Sequence, residues 1–140
     1  MPSHVVRSSK VAIIVFFCLA SCDSVDAILF MEKLGLSNAE VIRDAEMKFI
    51  HARGRFGALS ELGPAEANLI KKELSSGEYQ GYTFEVITVR GELMIRAIPK
   101  PVPNKQLRRF LLKQNGDVFE LGVDNIIIGP VPSLRKTIVR

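Results

Sequence analysis

The most apolar stretch of the chain is Val11 to Ala20, ten residues without charge that follow a polar opening carrying Arg7 and Lys10. Asp23 and Asp26 interrupt it soon afterwards, whereas a membrane-spanning helix needs about 20 apolar residues. The order of a basic region and then a short apolar core predicts an export signal in place of a permanent span. Beyond it the period turns helical. Asp23 to Leu34 reads as a short helix with Val25, Ile28, Leu29 and Leu34 on one side and Gly35 as its stop. Ser37-Asn38-Ala39-Glu40 has the form of a capping box, Glu40 serving the cap. It opens a helix from about Asn38 to Ala52 whose apolar face is Ala39, Ile42, Ala45, Phe49 and Ala52, and Arg53-Gly54 ends it. A glycine-punctuated loop with Phe56 and Leu59 as anchors follows. Gly63-Pro64 then predicts a second short helix, with Leu69, Ile70 and Leu74 inward and Ser75-Ser76-Gly77 closing it.

From Gly81 the period becomes two. Tyr82, Phe84 and Val86 alternate with Thr83 and Glu85, a half-buried strand that turns at Arg90-Gly91 and returns over Glu92 to Ile98. Leu107 to Lys113 reads as a third strand, and Asn115-Gly116 as a hairpin leading into Val118 to Leu121. The fold class expected is α+β, a signal helix followed by an amphipathic helix packed on an antiparallel meander of about four strands. Residues 1–21 form the signal, 22–36 a membrane-proximal segment and 37–122 the head. Residues 123–140 are read as a C-terminal tail, loose after Ile128, with a fifth edge strand as the alternative.

Composition changes this picture little, while charge and cysteine content change it more. At 140 residues and 47% hydrophobic there is material for one modest core. Of 19 basic groups, Arg7 and Lys10 belong to the signal, which leaves 17 against 15 acidic ones. Residues 22 to 89 hold 7 Lys/Arg and 11 Asp/Glu, and residues 90 to 140 hold 10 and 4. That asymmetry makes Arg96, Lys105, Arg108 and Arg109 candidate partner-binding residues, against the plainer reading of a solvated surface. Nucleic acid is not an expected partner, because no aromatic residues are interleaved with the basic positions.

The two cysteines, Cys18 and Cys22, lie inside the apolar run and at its end. Leu19-Ala20-Ser21-Cys22 resembles the lipobox of bacterial lipoproteins: a branched apolar residue, two small ones that let an extended backbone enter a peptidase, and a thiol that carries diacylglycerol. The resemblance implies cleavage before Cys22 and lipid on its sulfur, hence a membrane partner reached through the anchor. Asp23 in the next position implies retention in the inner membrane, facing the periplasm of the cell envelope.

Within the head, a further set of landmarks occurs in order: Gly54-Arg55-Phe56-Gly57-Ala58-Leu59-Ser60-Glu61-Leu62, Gly81-Tyr82-Thr83-Phe84, Ala97-Ile98-Pro99, Arg109-Phe110 and Asn115-Gly116-Asp117-Val118. Over about residues 39 to 121 this resembles the soluble heads of type IV pilin-like and type II secretion pseudopilin-like proteins. The resemblance implies a non-enzymatic packing module and envelope, secretion or pilus proteins as partners. The chain departs from that pattern in lacking a prepilin cleavage site and a continuous apolar N-terminal helix. A lipid-tethered interaction module is therefore expected ahead of a minor pilin or pseudopilin, and ahead of a small-ligand-binding lipoprotein.

Catalytic chemistry finds little footing. His51, the one histidine beyond the signal, has no neighbouring nucleophile in sequence and reads as a surface residue. Asp44 and Glu46 are two apart on a helix and point to different faces, so they do not form an acid/base pair. No glycine-rich phosphate loop, metal-ligand spacing or catalytic residue is expected, and no cofactor.

Overall fold

A computed structural model describes residues 25–103 and 106–131. The segment expected as an export signal, Leu19, Ala20, Ser21 and Cys22 of the expected lipobox, Asp23, Lys105 and residues 132–140 lie outside the described residues. Helix α1 spans Val25–Arg53 without interruption, 29 residues or about 43 Å at 1.5 Å per residue. The expected break at Gly35 is absent, and its cause is a contact far away in sequence. A β-carbon on Gly35 would stand 2.7 Å from the Tyr82 ring. The glycine is there so that the aromatic ring lies directly on the helix backbone. The expected capping box of residues 37 to 40 falls inside this helix, where Asn38 Nδ2 donates to Gln80 Oε1 at 2.9 Å. The helix does end where the sequence says it should: Gly54 takes φ +76° and its N–H donates to Ile50 O at 2.8 Å.

Gly35→Ala sets two effects against each other. Alanine gains about 1 kcal/mol in helix propensity over glycine. Inserting a methyl group into a filled core costs about 1–3 kcal/mol. Because Tyr82 is fully buried, the clash wins, and a lower urea midpoint is the expected outcome.

After α1 a 3₁₀ turn covers Leu59–Leu62, turns occupy residues 64–67, and helix α2 is the single turn Lys72–Ser75. The longer helix expected from Pro64 is therefore reduced to its last turn. Ile70 and Leu74 are buried as expected, and Leu69 is half-buried.

The sheet has six strands, not four: β1 Glu78–Tyr79, β2 Tyr82–Val89, β3 Glu92–Pro99, β4 Arg109–Lys113, β5 Val118–Leu121 and β6 Ile127–Pro130. They lie in chain order, each antiparallel to the next. Gln80-Gly81 and Arg90-Gly91 both have two positive φ values, the backbone of a two-residue hairpin turn. At Gly116, φ +96° and a bond from its N–H to Lys113 O complete the expected β4–β5 turn. The region expected as a tail instead turns at Gly122 to Asn125, where Asn125 has φ +62°, and contributes β6.

α1 lies on one face of the sheet. Leu36, Ile42 and Phe49 meet Tyr82, Phe84, Leu93, Ile95, Phe110 and Leu112, all buried. Tyr82 and Phe110 stack with centroids 6.3 Å apart. Among the described residues no helix is long and apolar enough to cross a membrane.

Candidate functional site

Alternation feeds the odd positions of β3 and the even positions of β2 and β4 into the core, yet the opposite face of the sheet is also apolar. Register places Ile87 beside Met94, Arg96 beside Leu111, Leu111 beside Phe119, and Leu121 beside Ile127. All of these but Phe119 line, with Val89, Asn125 and Ile126, a shallow trough of about 390 Å³ on the face turned away from α1. One ion pair, Arg96 to Glu85 at 3.0 Å, crosses that face. Such an apolar surface on a small head suits contact with another surface better than enclosure of a small molecule.

A second depression of about 460 Å³ lies at the end of the sheet where β3 stops and β4 begins. Lys100, Arg108, Arg109 and Glu120 line it together with Val123 and Ile128. Its cations are engaged. Lys100 Nζ donates to Glu78 at 2.9 Å. Arg108 Nη2 and Nε donate to Glu32 Oε1 at 3.1 and 3.2 Å, and the Arg108 backbone N–H donates to Glu32 Oε2 at 2.8 Å. Arg109 Nη1 donates to the neutral Asn125 Oδ1 at 3.2 Å. Above this point the Tyr82 hydroxyl donates to Arg108 O at 2.8 Å. Burial, and then the Glu32 charge, push that phenol above its ordinary range.

The candidate partner-binding residues are thus divided. Arg108 and Arg109 line the end groove, Arg96 lines the trough, and Arg108 is turned toward the helix by Glu32. Lys105 lies outside the described residues. Sequence reading missed both buried acids of α1. Glu32 carries the Arg108 lock, and Glu46 is 0% exposed. Glu46 Oε1 accepts from Gly57 N–H at 2.8 Å, and Oε2 has no partner. Burial raises its pKa above the ordinary 4.5, against the Gly57 bond; Glu61 raises it further and Arg55 lowers it. Neither groove is lined by Glu46. It therefore reads as a structural acceptor for the loop after α1, not as a group that meets substrate. Glu61, by contrast, is held down to about 2 by Arg55, which donates to it at 2.7 and 3.1 Å, and by the Ala58 N–H.

His51 stands exposed near the C-terminal end of α1. Asp44 is exposed and paired with Arg43 at 3.0 Å while Glu46 points inward, so the two carboxylates occupy different faces as the helical spacing requires. Among the described residues no group of three His, Cys, Asp or Glu side chains is placed to hold a metal ion. The apolar outer face had a readable signal: Phe110-Leu111-Leu112 is apolar at every position, and Ile87 and Met94 occupy the positions that a half-solvated strand gives to polar residues. Comparison with protein-family models, curated proteins and solved structures finds no match to this chain.

Proposed function

We propose that this is a non-enzymatic protein of the bacterial cell envelope, tethered to a membrane by lipid on Cys22, whose head serves as a structural or interaction module. The observation that carries the reading is the sheet face opposite α1, where Ile87, Met94, Leu121, Ile126 and Ile127 line an open apolar trough. A module that docks presents such a surface, whereas an enzyme or a ligand carrier needs converging polar groups in an enclosed pocket. The tether is supported by the sequence Leu19-Ala20-Ser21-Cys22 directly after an uncharged run, and Asp23 points to the inner membrane with the head in the periplasm. Acyl chains contribute about 0.8 kcal/mol per buried CH₂ group, so several chains hold a head without any spanning helix.

Metabolic labelling with a radioactive fatty acid tests the anchor. The wild-type chain is expected to take up label, and Cys22→Ala to lose it entirely; equal labelling of the two would refute lipidation at this residue. Pull-down from membranes with the lipidated chain then tests the module reading by its partners.

A second reading, a minor pilin or pseudopilin, gains support from one feature. α1 is continuous over Val25–Arg53 and leaves Phe30, Val41 and Met47 exposed along its length. Heads of that resemblance assemble through such a helix. Recovery of pilus or secretion components in the same pull-down would favour it.

A further inference from the structure

The two ends of the head differ in what they show to solvent, and the chain itself fixes which end lies nearest to Cys22. Val25 is three residues from Cys22, a distance that an extended backbone spans in at most about 11 Å. Glu32 follows Val25 by seven residues, about 10 Å along the helix. There it grips Arg108, and Arg108 with Arg109, Val123 and Ile128 lines the end groove. The Gly122 to Asn125 turn therefore lies at the tethered end of the molecule, while His51 and Arg53 lie at the far end of α1. Val123 is 89% exposed and Ile128 67%, two aliphatic side chains of a well-formed hairpin in open solvent. Arg109 lines the same groove, held by a neutral amide instead of a carboxylate.

We infer that this end of the head is a membrane-contact surface, with Val123 and Ile128 entering the headgroup layer of the bilayer that holds the lipid and Arg109 facing its phosphates. The inference rests on the lipid at Cys22 proposed above. The apolar turn is within reach of the bilayer that holds the lipid. A bilayer measures about 40–45 Å overall around a hydrocarbon core of about 30 Å, so its polar layers are thin and begin at the anchor itself. Apolar side chains held next to that layer enter it as interfacial segments do. Arg109 suits the phosphates there because a guanidinium offers paired donors to their oxygens.

The chain contains no Trp, so single Val123→Trp, Ile128→Trp and His51→Trp variants report from one place each. All three positions are exposed, which leaves the core untouched. The full lipidated chain is placed in vesicles of phosphatidylethanolamine and phosphatidylglycerol with or without brominated acyl chains. Quenching of at least about two-fold is expected at residues 123 and 128 and none at residue 51, because interfacial side chains lie about 5–10 Å into the boundary. If the chain floats with the vesicles through Cys22 while all three probes stay unquenched, the contact surface is refuted and the tether stands. If fatty acid does not label Cys22 and the chain does not float, the tether is refuted and the contact surface with it. A blue shift at residues 123 and 128 without lipid, rising as the chain dimerises in sedimentation, would assign the surface to a second copy and overturn the inference.

Discussion

Tyr82→Ala is expected to bring the head to the edge of unfolding at room temperature. Removing a fully buried aromatic side chain costs about 3–5 kcal/mol, and a domain of this size has about 5–15 kcal/mol in all. Tyr82 stands at the upper end of that range because it joins three elements. Its ring lies on the bare backbone of Gly35, stacks on Phe110 and touches Phe84 at 6.4 Å between centroids. Its hydroxyl donates to Arg108 O. Tyr82→Phe keeps the ring and loses one neutral hydrogen bond, an expected cost of about 1 kcal/mol. Urea unfolding of both variants separates the two contributions. Equal losses would mean that the hydroxyl's bond to Arg108 O, not the packing of the ring, carries the contribution of Tyr82.

Glu46→Gln is expected to stabilise the head at neutral pH, because it removes a charge that burial disfavours while leaving one polar group unpartnered as before, and to reshape its pH dependence. The native carboxyl binds its proton more tightly than the unfolded one, whose ordinary value is 4.5. Between those two values the folded state holds more protons than the unfolded state, so stability falls as pH rises through that window and stays low above it. Glutamine keeps the acceptor for Gly57 N–H and removes the charge, and the fall disappears. Glu61 works in the opposite direction. With its native pKa held at about 2, its contribution is fully present above 4.5 and is lost as pH falls toward that lower value. The wild-type head is therefore expected to be most stable in mildly acidic solution. The Gln variant is expected to keep the acid limb and lose the other. Urea midpoints measured from about pH 2 to about pH 8 decide this. An unchanged slope above pH 4.5 in the variant would remove Glu46 as its origin.

Much of the fold was legible where local chemistry decides it. Arg53-Gly54 marks a helix end, and Arg90-Gly91 and Asn115-Gly116 mark hairpins, because each needs a backbone angle that glycine reaches freely. Where a distant contact decides, local reading failed. Gly35 has the signature of a stop, and only its partner 47 residues later explains why a helix runs through it. β1 is two residues long, too short for any period to show. β6 follows a turn without the usual Asn-Gly pair, and Ile126-Ile127-Ile128 has no alternation by which to recognise a strand. The candidate site was legible only in outline. Arg96, Arg108 and Arg109 stand out by charge alone, but their division between two depressions follows from register, and Glu32 and Glu46 gave no sign of burial. A charged residue on a helix is normally solvated.

The Glu32 to Arg108 contact has a mechanical meaning. A pull on the segment ahead of Val25 runs along α1 for about two turns and then reaches a carboxylate that holds both the side chain and the backbone N–H of Arg108. Arg108 leads straight into β4, an interior strand bonded to β3 and β5 along its length. Tension entering at the N-terminal end of the helix is thus handed to the middle of the sheet, on whose strands β3 and β4 the helix packs, before it can peel the helix away.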